Sequence, residues 1–316
     1  MRDPLVSVLI PAFNAQEYVC ECVDSVRSQD YGQLEIIVVD DGSSDATLEA
    51  LSRHPDITVI SQANQGACVA RNRALAAASG VYIKFLDADD FLQAGALRSQ
   101  VDALRRLDSN AIVYGDYSIL REGSVTVIAN VEIRQDDEQL AQMVMANIMT
   151  STPLHRRQWL DKVGGFDVRF PSGQEWNLHV RLAAAGARFV YQPGNIYTHR
   201  VHHSADRISV RRWQSPDRLE SEVQKILMTL DSVSADATAK SLAALSARLW
   251  ENGRSALREG REALANRCFD LAREVSRDDL DRFWPTFYRI NYHLFGIRGA
   301  ERISQLTTRS GKSLFH

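Results

Sequence analysis

Two carboxylates separated by one residue, Asp87 and Asp89, close the stretch Phe85-Leu86-Asp87-Ala88-Asp89-Asp90 at the end of an apolar run. A pair so placed can face one crevice and hold a hard divalent cation, Mn2+ or Mg2+. Such ions prefer oxygen ligands and share their remaining positions with phosphate. A solvated acidic turn that caps the next helix would use the same residues, so the short pattern alone does not decide. A second acidic cluster, Asp40-Asp41-Gly42-Ser43-Ser44-Asp45, follows the apolar run Glu35–Val39. A carboxylate there can accept the imide N–H of a uracil or thymine ring, while Ser43, Ser44 and Asp45 can cap a helix. Pro11-Ala12-Phe13-Asn14 follows Val6–Ile10 and offers a ring and backbone against which a base could lie. Asn64–Arg73 (NQGACVARNR) can turn Arg71 or Arg73 toward a diphosphate, a task suited to the planar guanidinium fork.

The elements that must carry these groups are legible as alternating β-branched runs and helical patterns. Val6–Ile10, Glu35–Val39, Ile57–Ile60 and Val81–Leu86 read as strands; Gln16–Gln29, Asp45–Arg53 and Ala67–Ala78 read as helices. On the first helix Tyr18, Val19, Cys22, Val23 and Val26 share one face. Apolar strands separated by helices predict a mostly parallel central sheet covered on both faces. In such sheets ligands bind beyond the carboxyl ends of the strands, where all the acidic clusters fall. Further strands are expected over 111–130 with Tyr114–Tyr117 between them, then helix, loop and helix over 138–165. Gln174–Ala185 is a strong amphipathic helix ending at Gly186, and a short strand Arg188–Tyr191 follows.

Composition narrows the classes. The formal net charge of −3 argues against a protein that grips a nucleic-acid backbone. Cys20 and Cys22 are two apart and match no zinc spacing; with Cys68 and Cys268 they read as reduced, space-filling side chains of a cytoplasmic protein. Leu5–Phe13 is interrupted by Ser7 and Pro11, too short for a bilayer and without a cleavage site, so no signal peptide or span is expected. No Gly-rich dinucleotide fingerprint follows a strand, which excludes a dehydrogenase. A sugar-1-phosphate nucleotidyltransferase would need a basic Gly-rich loop where Pro11-Ala12-Phe13-Asn14 stands.

After about Ile208 the texture turns helical. Leu249–Val275 has the spacing of one tetratricopeptide-like unit or of a plain helical hairpin. In the tail, Phe283, Trp284, Phe287, Tyr288, Tyr292 and Phe295 alternate with Arg289, Arg298, Arg302, Arg309 and Lys312. That mixture suits peripheral contact with an anionic membrane; it equally suits aromatics packed back onto the hairpin with their charges in water.

Taken in order, VSVLIPAFN, VDDGSSD, NQGACVARN and YIKFLDADD resemble the family-2, GT-A-type glycosyltransferases over about residues 5–209. The resemblance implies a GT-A nucleotide-sugar-binding domain over 1–210 and a helical region over 211–316. It implies an inverting, metal-dependent transfer from a nucleotide sugar to a saccharide or lipid-linked saccharide acceptor. Pro11, Phe13 and Asp41 match the nucleobase positions, Arg71 lies near the diphosphate, and Asp87 and Asp89 match the ribose- and metal-binding motif. The family's catalytic base sits in an acidic pair at a helix start; here that pair is Gln174-Glu175, which makes Glu175 the matching base. Within His199-Arg200-Val201-His202-His203 the resemblance points to His202 at the metal, with Arg200, His203 and Arg207 as alternatives. Replacement of the usual acidic pair also leaves open a catalytically silent nucleotide-sugar-binding or scaffold protein.

Overall fold

A computed structural model of the chain describes residues 3–136, 138–202, 215–276 and 281–310, with side chains of the last helix as far as Gln305. Packing divides it into two compact units, residues 1–215 and 216–316.

In the first unit β1 (Val6–Ala12), β2 (Leu34–Asp40), β3 (Thr58–Ser61) and β4 (Tyr82–Phe85) are mutually parallel. Val6, Val8, Ile10 and Ala12 enter one core layer with Val19, Cys22, Val23 and Val26 of α1 (Val19–Arg27). Leu9 alternates to the other layer, with Ile37, Val39 and the small residues Ala70 and Ala74 of α3 (Ala67–Ala77). The period of two puts both faces under helices, so unbroken aliphatic runs are stable as strands here. Because β1, β2 and β4 run the same way, their carboxyl ends, and so Phe13, Asp41 and Asp87, lie along one edge. At the far side of β2, β3 is an edge strand with mostly exposed side chains rather than a covered one. The short α2 (Thr47–Leu51) follows β2.

The sheet runs β3-β2-β1-β4-β8-β6-β9-β5, with β7 (Ser124–Ile128) on β6. Its second half departs from the expected element pattern in three ways. Tyr114–Tyr117 does not separate two strands; it lies inside one long β6 (Ala111–Arg121), at a break in register. β8 (Leu154–Arg156) inserts antiparallel between β4 and β6, where helix, loop and helix were expected; α5 (Gln139–Met145) and α6 (Arg157–Val163) flank it. β9 does not stop at Tyr191 but continues from Arg188 to Val201, passing Pro193-Gly194-Asn195 as a bulge against β6. β9 also pairs with β5 (Phe91–Leu92), just after the acidic loop, and α4 (Ala96–Arg106) follows β5. α7 (Gln174–Ala184) starts at Gly173, whose φ of 66° suits a residue without a side chain.

The second unit comprises α8 (Arg218–Val233), α9 (Ala239–Arg258), α10 (Glu262–Val275) and α11 (Thr286–Ser310). A reciprocal cap between Thr238 and Ser241 opens α9. Trp250 forms the centre of this unit, 4.5 Å from the Phe269 ring and 4.4 Å from the Trp284 ring. Buried Glu301 accepts from Arg254 at 2.8 Å and from Arg258 at 2.6 Å. No described helix in either unit is long and apolar enough to cross a membrane.

Candidate active site

At the end of β2, Asp41 is 3% exposed and held by three donors. Gln62 Nε2 and the Gln65 amide donate to Oδ1 at 2.7 and 2.8 Å, and the Gly66 amide donates to Oδ2 at 2.8 Å. This cradle depends on Gly42, where a Cβ would lie 2.8 Å from the Asn64 nitrogen, on a backbone with φ of 77°. The neighbouring β1 loop is tied to the same edge. The Asn14 amide donates to Ser43 Oγ at 2.9 Å, and Asn14 Oδ1 accepts from the Ser44 amide at 2.9 Å. Pro11 is half-buried within β1, and Phe13 beside it is 40% exposed, leaving its ring available at the crevice.

Arg71, buried on α3, bridges two other elements. Its guanidinium donates to Asp87 Oδ1 at 2.6 Å and to Gln174 Oε1 at 2.7 Å, and lies 5.2 Å over the Phe166 ring. Burial acts to lower its pKa, but the charge and hydrogen bond of Asp87 outweigh that and raise it. One arginine therefore couples the acidic loop to the first turn of α7. Its Nε, buried, has no partner among the described residues. Glu175 follows Gln174, half-buried, and among the described residues no hydrogen bond restrains its carboxylate.

Asp89 and Asp90 meet the end of β9. His202 Nε2 is 3.0 Å from Asp89 Oδ2. Behind them His199 Nδ1 is 3.2 Å from Asp90 Oδ2, and the Arg200 amide donates to Asp90 Oδ1 at 2.9 Å. Burial raises the Asp90 carboxyl well above the usual carboxylate range, against the opposing pull of His199. Tyr18 does not join the core face of α1 as its spacing suggested. It sits just before the helix, 4.8 Å from the His202 ring and 5.0 Å from the Arg200 guanidinium.

Asp89 Oδ2 and His202 Nε2, 3.0 Å apart, form a direct hydrogen-bonded pair; a carboxylate beside an imidazole is also a donor set that suits a divalent ion. Among the described residues no three His, Cys, Asp or Glu side chains gather as a complete cage. His203 and Arg207 lie outside the described residues.

Arg200 and Gln174 carry more of the geometry than their positions in sequence suggested. The Gln174 bond spans 103 residues and the Arg200–Asp90 bond 110, so no local pattern announces either.

A family model described as "Glycosyl transferase family 2" matches residues 7–162. Over 204 residues the chain is 30% identical to the amylovoran biosynthesis glycosyltransferase AmsB of Erwinia amylovora, covering 60% of this chain and 67% of that protein. Over 191 residues it is 34% identical to chondroitin synthase of Escherichia coli, covering 58% of this chain but only 27% of that longer protein. Residues 1–349 of S. aureus TarS, solved in complex with UDP-GlcNAc, share its fold with a TM-score of 0.70 at 16% identity, over 99% of this chain and 94% of that one.

Proposed function

Because this chain belongs to glycosyl transferase family 2 and has the GT-A-type fold with a helical C-terminal region, we propose that it transfers a sugar, with inversion, from a nucleoside-diphosphate sugar to an acceptor hydroxyl. The observation that carries this reading is the bridge through Arg71. It joins Asp87 to Gln174 and so brings the base-bearing turn of α7 to the acidic loop. A transferase needs both around one crevice: a carboxylate for the incoming hydroxyl and a polar cradle for the departing diphosphate.

On the donor side, Asp41 Oδ2 accepts one hydrogen bond within the described protein and retains a lone pair for a ring N–H. Uracil and thymine share such an imide, which favours a UDP- or dTDP-sugar, with Pro11 and Phe13 against the base. The UDP-GlcNAc in the TarS complex supports the same choice. Arg71 holds Asp87 in place at the ribose and diphosphate end. Mn2+ or Mg2+ held by Asp89 and His202, with Asp87 beside them, would supply Lewis-acid stabilisation to the diphosphate.

On the acceptor side, Glu175 accepts the hydroxyl proton as that oxygen bonds to the anomeric carbon. The carbon–oxygen bond to the diphosphate breaks, and the electron pair leaves with the nucleoside diphosphate. One displacement from the opposite face inverts the centre. Glutamate in place of aspartate extends the base by one methylene without changing its acid–base type. The acceptor is a saccharide, free or lipid-linked, and the names of the AmsB and chondroitin synthase relatives favour polysaccharide synthesis. The reaction belongs to the first unit.

Asp89→Ala tests the donor site. Calorimetric binding of UDP should lose its dependence on Mn2+ while the circular dichroism spectrum stays unchanged. Wild-type transfer by that variant in the presence of a chelator would contradict the assignment.

A further inference from the structure

Glu175 makes no hydrogen bond of its own among the described residues, so where its carboxylate points depends on the backbone of the first turn of α7. Both of its neighbours anchor that turn. Trp176, buried, donates through Nε1 to the Val144 carbonyl at 3.0 Å. Gln174, also buried, is held from two sides. Its Oε1 accepts from Arg71 Nη1 at 2.7 Å, and its Nε2 donates to the Phe170 carbonyl at 3.2 Å. The loop leading into α7 is thereby fastened to the helix itself. α3 grips the same loop: Cys68 Sγ reaches the Phe170 carbonyl at 3.7 Å, and the Asn72 side chain pairs with both the amide and the carbonyl of Phe166 at 2.8 Å. Gly165 leaves room for that pairing, since a Cβ there would lie 2.5 Å from Asn72 Oδ1.

The two partners of Gln174 dictate what can stand between them. A guanidinium only donates and a carbonyl only accepts, so the side chain that joins them must offer both an acceptor and a donor. An amide does so in one orientation; reversed, it would turn its N–H groups toward Arg71. A carboxylate, the usual residue at this place in the pair, would keep the Arg71 bond but set an oxygen against the Phe170 carbonyl oxygen. It would also bring a second negative charge to a guanidinium that Asp87 already pairs at 2.6 Å. In so buried a place an uncompensated charge is costly. Glutamine is therefore fitted to this position by its chemistry, and a buried polar network whose members are satisfied is rigid.

We propose that Gln174 is a positioning residue for the base: its amide locks the start of α7 to α3 and to the loop at Phe170, and so fixes where the Glu175 carboxylate stands. With Glu175 as the base, on which this role rests, a displacement of about 1 Å costs up to about 10²-fold in rate. Single-turnover release of UDP from UDP-glucose and UDP-N-acetylglucosamine, with water as acceptor, tests the role alongside calorimetric UDP affinity. Gln174→Met keeps the length and removes both bonds. It should slow release at least about tenfold, while UDP affinity changes far less. Gln174→Glu keeps the Arg71 bond and loses the one to Phe170, and it should also be slower than the unsubstituted chain. In the Glu175→Gln background, Gln174→Met should cost less than about twofold more, because the group it positions is already gone. The same loss in both backgrounds overturns the proposal, since Gln174 then acts on something other than Glu175. An undiminished rate in either Gln174 variant overturns it too, as does a loss of UDP affinity large enough to account for the slower release. If Glu175→Gln alone leaves the rate intact, Glu175 is not the base and the role of Gln174 falls with it.

Discussion

Arg200 contacts most of what orients the Asp89–His202 pair. Its amide donates to Asp90, its Nε donates to the Asp89 carbonyl at 3.1 Å, and its guanidinium pairs with Glu21 and lies over the rings of Tyr18 and Phe91. A side chain fixed from so many directions holds the backbone of His202 toward the acidic loop. Groups that orient metal ligands without touching the ion commonly contribute about 10–100-fold in metal affinity. Arg200→Ala should therefore raise the Mn2+ concentration needed for half-maximal UDP binding by about tenfold or more, with little change in transfer rate once Mn2+ is saturating. An unchanged Mn2+ requirement would mean that Arg200 only fills space. At this scale the sequence was readable where function is local: Asp41, Asp87 and Asp89 each stand in a short motif directly after an apolar run. It was not readable where partners are remote. Gln174 looked like a departure from an acidic pair, whereas its amide is the acceptor that anchors Arg71.

Among the elements, the parallel strands of the first half were legible because unbroken β-branched runs have few alternatives once helices separate them. β8 was not, since three residues, Leu154-His155-Arg156, carry no periodicity. β9 was cut short by Pro193-Gly194, a pair that usually signals a turn and here forms a bulge held by Asp116, which accepts from Tyr191 at 2.7 Å and the Gly194 amide at 3.1 Å. β8 and α7 also bring His155 and His179 together, fully buried with ring centres 6.0 Å apart, near Lys84 of β4. Burial pushes the His155 pKa well below its usual value and that of His179 down to about 3. The folded chain thus keeps both rings neutral, while the unfolded chain protonates them near pH 6.5. Their contribution is fully present above about pH 6.5 and is lost progressively as pH falls from there toward the folded values. The melting temperature should decline on acidification across that window, and His179→Phe should flatten the decline. An equal slope in the variant would assign the acid sensitivity to other groups.

At the scale of the whole molecule, the change of texture after Ile208 marked a passage from strands to helices, and the two compact units meet at residues 215 and 216. The helical unit closes on a Trp250-centred core whose partners, Phe269 and Trp284, come from both sides of it in sequence. Composition alone could not sort tail aromatics into core and surface, because that depends on which side of α11 each residue occupies. In the first unit, the parallel direction of β1, β2 and β4 puts Phe13, Asp41 and Asp87 along one edge, and the Arg71 bridge brings Gln174, the neighbour of Glu175, to Asp87. The proposed mechanism rests on Glu175 as the base. Single-turnover transfer by Glu175→Gln, with donor binding measured in parallel, tests it most directly. UDP-sugar affinity should stay close to that of the unsubstituted chain while the transfer rate falls about 10²–10⁴-fold; an unchanged rate would show that the proton goes elsewhere.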